Sequence, residues 1–302
     1  VEAETPQRKA LLGALYALGA YGAWGLSPLF WRQLHPIPPL ELIGHRVLWG
    51  MLLFFLLLTW RGRRPELAAA LRQPKTLAIF ALTMLLLGSN WFLFIYSVDV
   101  GRVVEASLGY FINPLLNVVL GFVFLRERPR PVQWLAVALA AAGVVRLAFT
   151  GAGATEGIPW IGLTLAATFG LYGLVRKTTR ADALLGSNLE TLWIVPPAIL
   201  YLLWLTTTGG AVWPQVPWTT LLWIPLTGAM TALPLLWFSN AARRLPLTTL
   251  GFFQYLAPTG QFLLAVFAFR EPFSRAELTG FLLIWIALAI FAVESRLHRR
   301  GR

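Results

Sequence analysis

Residues 104–125 read VEASLGYFINPLLNVVLGFVFL, with Glu105 the single charge among them. A helix needs ~20 apolar residues to cross a hydrocarbon core, and this run is long enough. It shows no barrel-type alternation, and lipid cannot satisfy an exposed backbone, so it is expected to span as a helix. Its polar features sit at fixed places: a Leu108-Gly109 step, then Tyr110, Asn113, Pro114 and Asn117, and an Arg126-Glu127 end. Near a spacing of 144 the same features return as Pro258, Gln261, Arg270 and Glu271. The run Leu108-Gly109-Tyr110-Phe111 returns as Leu250-Gly251-Phe252-Phe253. Tyr21-Gly22-Ala23-Trp24-Gly25-Leu26 likewise returns as Phe169-Gly170-Leu171-Tyr172-Gly173-Leu174.

Outward from that stretch, the rest of the chain has the same character. Of 302 residues, 57% are hydrophobic and only 13% charged, and the mean hydropathy is +0.67. A soluble domain carries about 25% charged residues, so a disordered chain, a coiled coil and a water-soluble enzyme are excluded. Ten runs are expected to span: 10–31, 40–60, 76–98, 104–125, 132–149, 158–175, 184–207, 218–241, 247–269 and 276–295. The first is longer than a signal-peptide core and is read as a retained span. The expected fold class is an all-α integral membrane protein of ten helices. It divides into two five-helix repeats, 1–150 and 151–302. Five is odd, so the second repeat enters the membrane inverted, the build of many secondary transporters.

A formal net charge of +12 raises the question of nucleic acid. A nucleic-acid binder gathers its cations into one folded patch. Here they stand in short clusters between apolar runs, as the positive-inside rule requires. With the N-terminus inside, nineteen Lys and Arg fall in cytoplasmic segments against four outside. Both termini are therefore expected in the cytoplasm. The chain has no cysteine and only three histidines, so no metal site or cofactor is expected. No phosphate-binding glycine loop of the Walker type occurs, which argues against ATP hydrolysis. The expected partners are a small-molecule solute and the lipid bilayer, with no nucleic acid, in a monomer or homodimer.

Charges inside spans are costly and call for a reason. Arg46 and Glu190 are 144 residues apart, at equivalent places in the two repeats with opposite sign. One reading makes Arg46 the anchor of an anionic solute group and Glu190 the acceptor of a coupling proton. The other has each pair with a neighbouring helix and hold the bundle together. His45 can titrate near neutral pH, or pack. Being adjacent, His45 and Arg46 face different sides of their helix. Glu41 shares a face with His45 or sits at the outer interface. Glu105 is a further coupling candidate, or favours the positive end of its helix. Arg176 and Lys177 are explained by the charge rule, with a gate as the alternative. Tyr110, Asn113, Gln254 and Tyr255 are expected to line one cavity, because Pro114 and Pro258 each free a carbonyl that a cavity or neighbour must satisfy. Tryptophans such as Trp31, Trp60, Trp213 and Trp218 fall at interfaces, and Gly22, Gly25, Gly170 and Gly173 read as close packing points. Arg126-Glu127 and Arg270-Glu271 read as turn-fixing pairs.

Several runs also carry a family resemblance: Glu41-Leu42-Ile43-Gly44-His45-Arg46, Asn90-Trp91, and Glu105-Ala106-Ser107-Leu108-Gly109-Tyr110-Phe111-Ile112-Asn113-Pro114. To these are added Tyr172-Gly173-Leu174-Val175-Arg176-Lys177, Glu190-Thr191-Leu192-Trp193 and Leu250-Gly251-Phe252-Phe253-Gln254-Tyr255. In order and over nearly the whole chain, they resemble RarD-type permeases of the EamA group, within the drug/metabolite transporter superfamily. The resemblance implies ten helices, a central cavity and a bacterial inner-membrane location, and adds Asn90, Trp91 and Tyr172 as neighbours of the site. The expected function is then a secondary active transporter, not an enzyme. It would move a small polar or amphipathic organic solute by alternating access, with proton coupling. The competing readings are a membrane-embedded transferase and a non-transporting sensor or scaffold.

Overall fold

The structure is a computed structural model, described for residues 5–100, 102–150, 159–268, 270 and 275–300. The side chains of residues 6, 98, 99, 103–105, 150, 276, 277, 296 and 298–300 are not described. Among the described residues every regular element is helical. In order they are α1 (Pro6–Trp31), α2 (Pro39–Trp60), α3 (Arg64–Leu71), α4 (Pro74–Asp99), α5 (Val103–Leu125), α6 (Pro131–Thr150) and α7 (Trp160–Thr178). They continue as α8 (Ala183–Thr207), α9 (Trp218–Leu221), α10 (Trp223–Arg244), α11 (Leu247–Gln254), α12 (Leu256–Leu263) and α13 (Arg275–Arg300).

Local chemistry explains where these helices start and stop. Prolines open α1, α2, α4 and α6, where their missing N–H is one the helix end leaves unpaired anyway. Thr5 accepts from the Arg8 N–H at 3.3 Å, and Asp182 accepts from the Leu185 N–H at 2.9 Å. The ninth expected span is broken at Tyr255 into α11 and α12, and a π-helical turn follows at Leu264–Ala268. Pro258 cannot donate to the Gln254 carbonyl, so the helix is interrupted there. The eighth is interrupted at Leu222, and α3 adds a short helix inside the expected 61–75 loop. α5 ends on Arg126 with φ 55°, and Arg270 has φ 56°. Among the described residues these are the two non-glycines with left-handed backbone, a conformation that costs an L-residue ~1–2 kcal/mol.

Nine helices among the described residues are long and apolar enough to cross a membrane. The chain is an all-α membrane protein. α7 falls short of that apolarity because its last turn carries Arg176 and Lys177.

The chain folds as two compact units, and each takes segments from both sequence halves. Unit one is residues 1–89 with 175–244; unit two is 90–174 with 245–302. In unit one α10 packs on α1 and α2, and α2 packs on α8. Gly228 makes one of these contacts possible, since a Cβ there would lie 2.5 Å from the Trp49 backbone. In unit two α13 packs on α6, and α11 and α6 pack on α5. There a Cβ on Gly251 would lie 2.7 Å from the Pro114 carbonyl oxygen. Of the glycines expected at close contacts, a Cβ on Gly170 would lie 3.1 Å from Leu116, but one on Gly22 would meet no such neighbour among the described residues. Hydropathy locates a helix without fixing which of its faces meets another.

Candidate functional site

Each unit buries its own set of polar side chains, and the two sets differ in kind. In unit one, Arg46 of α2 is half-buried. Its Nε donates to Thr231 Oγ1 of α10 at 3.1 Å, and its guanidinium carbon lies 4.7 Å from the Trp31 ring centre. His45 is 9% exposed; its ring meets Trp213 edge-on at 5.7 Å, and Nε2 has no hydrogen-bond partner among the described residues. One turn earlier, Glu41 is buried at the start of α2. Its carboxylate accepts from the Trp213 N–H at 2.8 Å and from the Val212 N–H at 3.1 Å. That ties the segment after α8 to the start of α2.

Glu190 is buried in α8, and its ion-pair partner is Arg176, with Nε to Oε1 at 3.6 Å. Arg176 is 1% exposed. It is therefore not a solvated charge at the membrane surface, as the charge rule alone had it. The short connection between α7 and α8 brings the last turn of α7 beside the first turns of α8. Arg176 Nε donates to Ser239 Oγ and Nη2 to the Ala183 carbonyl, both at 3.2 Å, with Phe80 beneath the guanidinium at 5.6 Å. The sequence pattern assigns this residue to topology, with a gate as the alternative, because a cation in the last turn of a span reads that way. A clue was present in Glu190, a span carboxylate in need of a nearby cation.

In unit two most of the buried polar groups are amides. Asn90 Nδ2 donates to the Leu165 carbonyl at 2.9 Å and to Thr168 Oγ1 at 3.0 Å. Asn113 Nδ2 donates to the Ala166 carbonyl at 2.7 Å. Asn117 joins the two helices that the repeat pairs: its Nδ2 donates to Asn113 Oδ1 at 3.1 Å and to Gln254 Oε1 at 2.9 Å. Asn113 and Gln254 thus come together through a third amide. The aromatic residues expected beside them separate. Tyr255 is buried in an apolar cluster with Leu108, Val118, Phe252 and Phe291, whereas Tyr110 is exposed and its ring stands 6.2 Å from Phe94. Tyr172 is fully buried with its ring 5.8 Å from Phe169, and Trp91 is half-buried beside Asn90. The Glu105 side chain lies outside the described residues, as does Glu271.

Glu127, expected to fix its own turn, reaches the start of another helix. Its carboxylate accepts from the Leu247 N–H at 2.6 Å, and from the Thr248 N–H and hydroxyl at 2.9 Å. It caps α11, whose first N–H groups have no partner inside the helix.

Comparison with known proteins bears on what this fold does. The model of the EamA-like transporter family matches residues 11–149. A Vibrio cholerae protein called an uncharacterized transporter is 42% identical over 290 residues, covering 96% of this chain and 94% of its own. The RarD protein of Salmonella typhi is 41% identical over 290 residues, covering 96% and 97%. A solved crystal structure shares the fold with a TM-score of 0.74 over 96% of this chain and 98% of that one, at 21% identity. With an all-α membrane fold and relatives of this identity along nearly its whole length, the chain belongs to the EamA-like transporter family, as a RarD-type permease.

Proposed function

We propose that this membrane transporter is a secondary active permease, moving a small polar or amphipathic organic solute across the bacterial inner membrane by alternating access, with proton coupling at Glu190. The observation that carries the reading is the buried Arg176–Glu190 pair, 3.6 Å apart and 1% and 4% exposed at the side chains. Ionisable groups inside spans are expensive, and they mark solute and proton pathways. The carboxylate is the proton-carrying group, while Arg46, His45 and Glu41 form a second polar set on the same unit. Asn90, Asn113 and Gln254 of unit two are proposed as the polar contacts for the solute, with Trp91 and Tyr172 as aromatic surroundings.

The topology proposed is ten spans in two inverted repeats, 1–150 and 151–302, with α7 as the sixth and both termini cytoplasmic. Three pairs that the repeat treats as equivalent pack together within a unit: α2 with α8, α5 with α11, and α6 with α13. The left-handed Arg126 and Arg270 stand at repeat-equivalent ends. The nineteen-to-four division of cations supports the orientation.

Reconstitution of the full chain in liposomes tests the reading. Under an imposed pH gradient, a panel of polar and amphipathic solutes should include one whose flux follows the gradient. Glu190→Gln should uncouple that flux from the gradient. A panel that moves no faster than through empty liposomes would overturn transport. Because the chain lacks cysteine, Gln73→Cys gives a clean topology probe. It should react with an impermeant maleimide only after the membrane is opened.

A further inference from the structure

Arg176 is the most completely buried cation described, and its donors are not all taken. Nε is held by Ser239 and Nη2 by the Ala183 carbonyl, and Glu190 stands beyond hydrogen-bond length at 3.6 Å. Nη1 is sealed from solvent and donates to none of the described residues. Gly186 is what admits it: a Cβ at that position would lie 1.8 Å from Nη1 and 2.9 Å from the guanidinium carbon. The next residue, Ser187, is 2% exposed, and its hydroxyl likewise has no partner among the described residues. Gly186 and Ser187 lie four and three residues before Glu190 on α8, so all three share a helix face. That face therefore presents a guanidinium nitrogen and a hydroxyl in want of an acceptor, and a carboxylate that only loosely fills the need.

We propose that Arg176 and Ser187 form an anion-binding site, and that its ligand is the carboxylate of the transported solute. Glu190 balances the guanidinium while the site is empty. The chemistry favours a planar oxyanion, because a guanidinium presents its N–H groups in a plane that matches two carboxylate oxygens. Ser187 supplies the additional hydroxyl donor. The substrate class rests on the transport reading above; the binding site itself does not.

Titration calorimetry on the purified full chain in nanodiscs tests the assignment, with benzoate and phenylacetate as probes and benzamide and phenylacetamide as their neutral counterparts. At least one acid should bind about tenfold or more tighter than its amide, as expected for a charge-assisted contact. Arg176→Lys should weaken acid binding about tenfold, since lysine loses the planar fork, and Ser187→Ala about threefold. Glu190→Gln should instead strengthen it several-fold, because the internal competitor is gone. A purely structural ion pair predicts the opposite sign for Glu190→Gln. Should Arg176→Lys fail to fold, Ser187→Ala and Glu190→Gln decide. Equal affinity for acids and amides, no acid binding, or a loss in Glu190→Gln would each overturn the site. Gradient-driven flux of neutral solutes with no response to the acids would leave transport standing and remove the site. Acid binding with the expected variant signs, but no flux of any probe, would keep the site and remove transport.

Discussion

Among the described residues unit one buries ten polar side chains and unit two six, and the two units solve the problem differently. Unit two relies mainly on amides: Asn113, Asn117 and Gln254 form a chain in which each Nδ2 donor meets a carbonyl oxygen, and what is left over is an acceptor, Asn117 Oδ1. An amide carries both functions, so such a chain can close on itself and hold helices in register. Unit one relies on charges, and what is left over there among the described residues includes donors, Arg176 Nη1 and the Ser187 hydroxyl. Neutral networks are suited to fixing a structure. A buried ion pair with donors to spare is suited to exchanging one partner for another.

The largest expected effect tests that contrast. Arg176→Met strands Glu190 without its cation and should cost about 3–5 kcal/mol, read as a fall in the melting temperature of the detergent-solubilised protein. Arg176→Met with Glu190→Leu should recover most of the loss. If single and double variants melt alike, the pair is not coupled.

Glu127 is the charged device of unit two and serves the frame instead. Glu127→Ala removes the acceptor of two N–H groups at the start of α11, and about 1.5–3 kcal/mol should go with it. Acid-probe binding in unit one should be unaffected. A change there would show that the cap reaches further than its own unit.

The amide bridge should matter less. Asn117→Leu deprives Asn113 Oδ1 and Gln254 Oε1 of a donor, and hydrogen bonds between membrane helices average about 0.6 kcal/mol, with about 1.7 the upper end. A cycle with Gln254→Leu isolates the bridge. A coupling near zero would mean that apolar packing alone holds α11 on α5.

Smallest is the surface pair of unit one. Arg63 Nη1 lies 2.5 Å from Asp182 Oδ2, but the Asp182 side chain is 44% exposed, so solvent screening holds the gain from the pair within about 1 kcal/mol. Burial pushes the Asp182 carboxyl up. Hydrogen bonds from Arg63 and the Leu185 N–H, with the charges of Arg63 and Arg243, outweigh it and hold the group below the usual carboxylate range. A depressed carboxylate stabilises above its unfolded value, about pH 3.9, and that contribution is lost as pH falls through the lower folded value. The melting difference between wild type and Arg63→Ala should therefore be small at pH 7 and vanish in stronger acid. A difference that grows on acidification would contradict the pairing.

The sequence by itself determined that this is a helical membrane protein and where most of its helices run, because a span must satisfy its backbone locally and show lipid an apolar surface. Those demands act on consecutive residues, so hydropathy reads them directly. It also marked Glu190, Asn113 and Gln254 as polar groups in apolar runs. Only the tertiary structure decided their partners: Arg176 for Glu190, Asn117 for both amides, and an apolar cluster for Tyr255 while Tyr110 stays exposed. Partner choice depends on the rotation and depth of each helix against its neighbours. Packing at close contacts such as Gly228 against Trp49 and Gly251 against Pro114 sets those, and no pattern along a single helix records them.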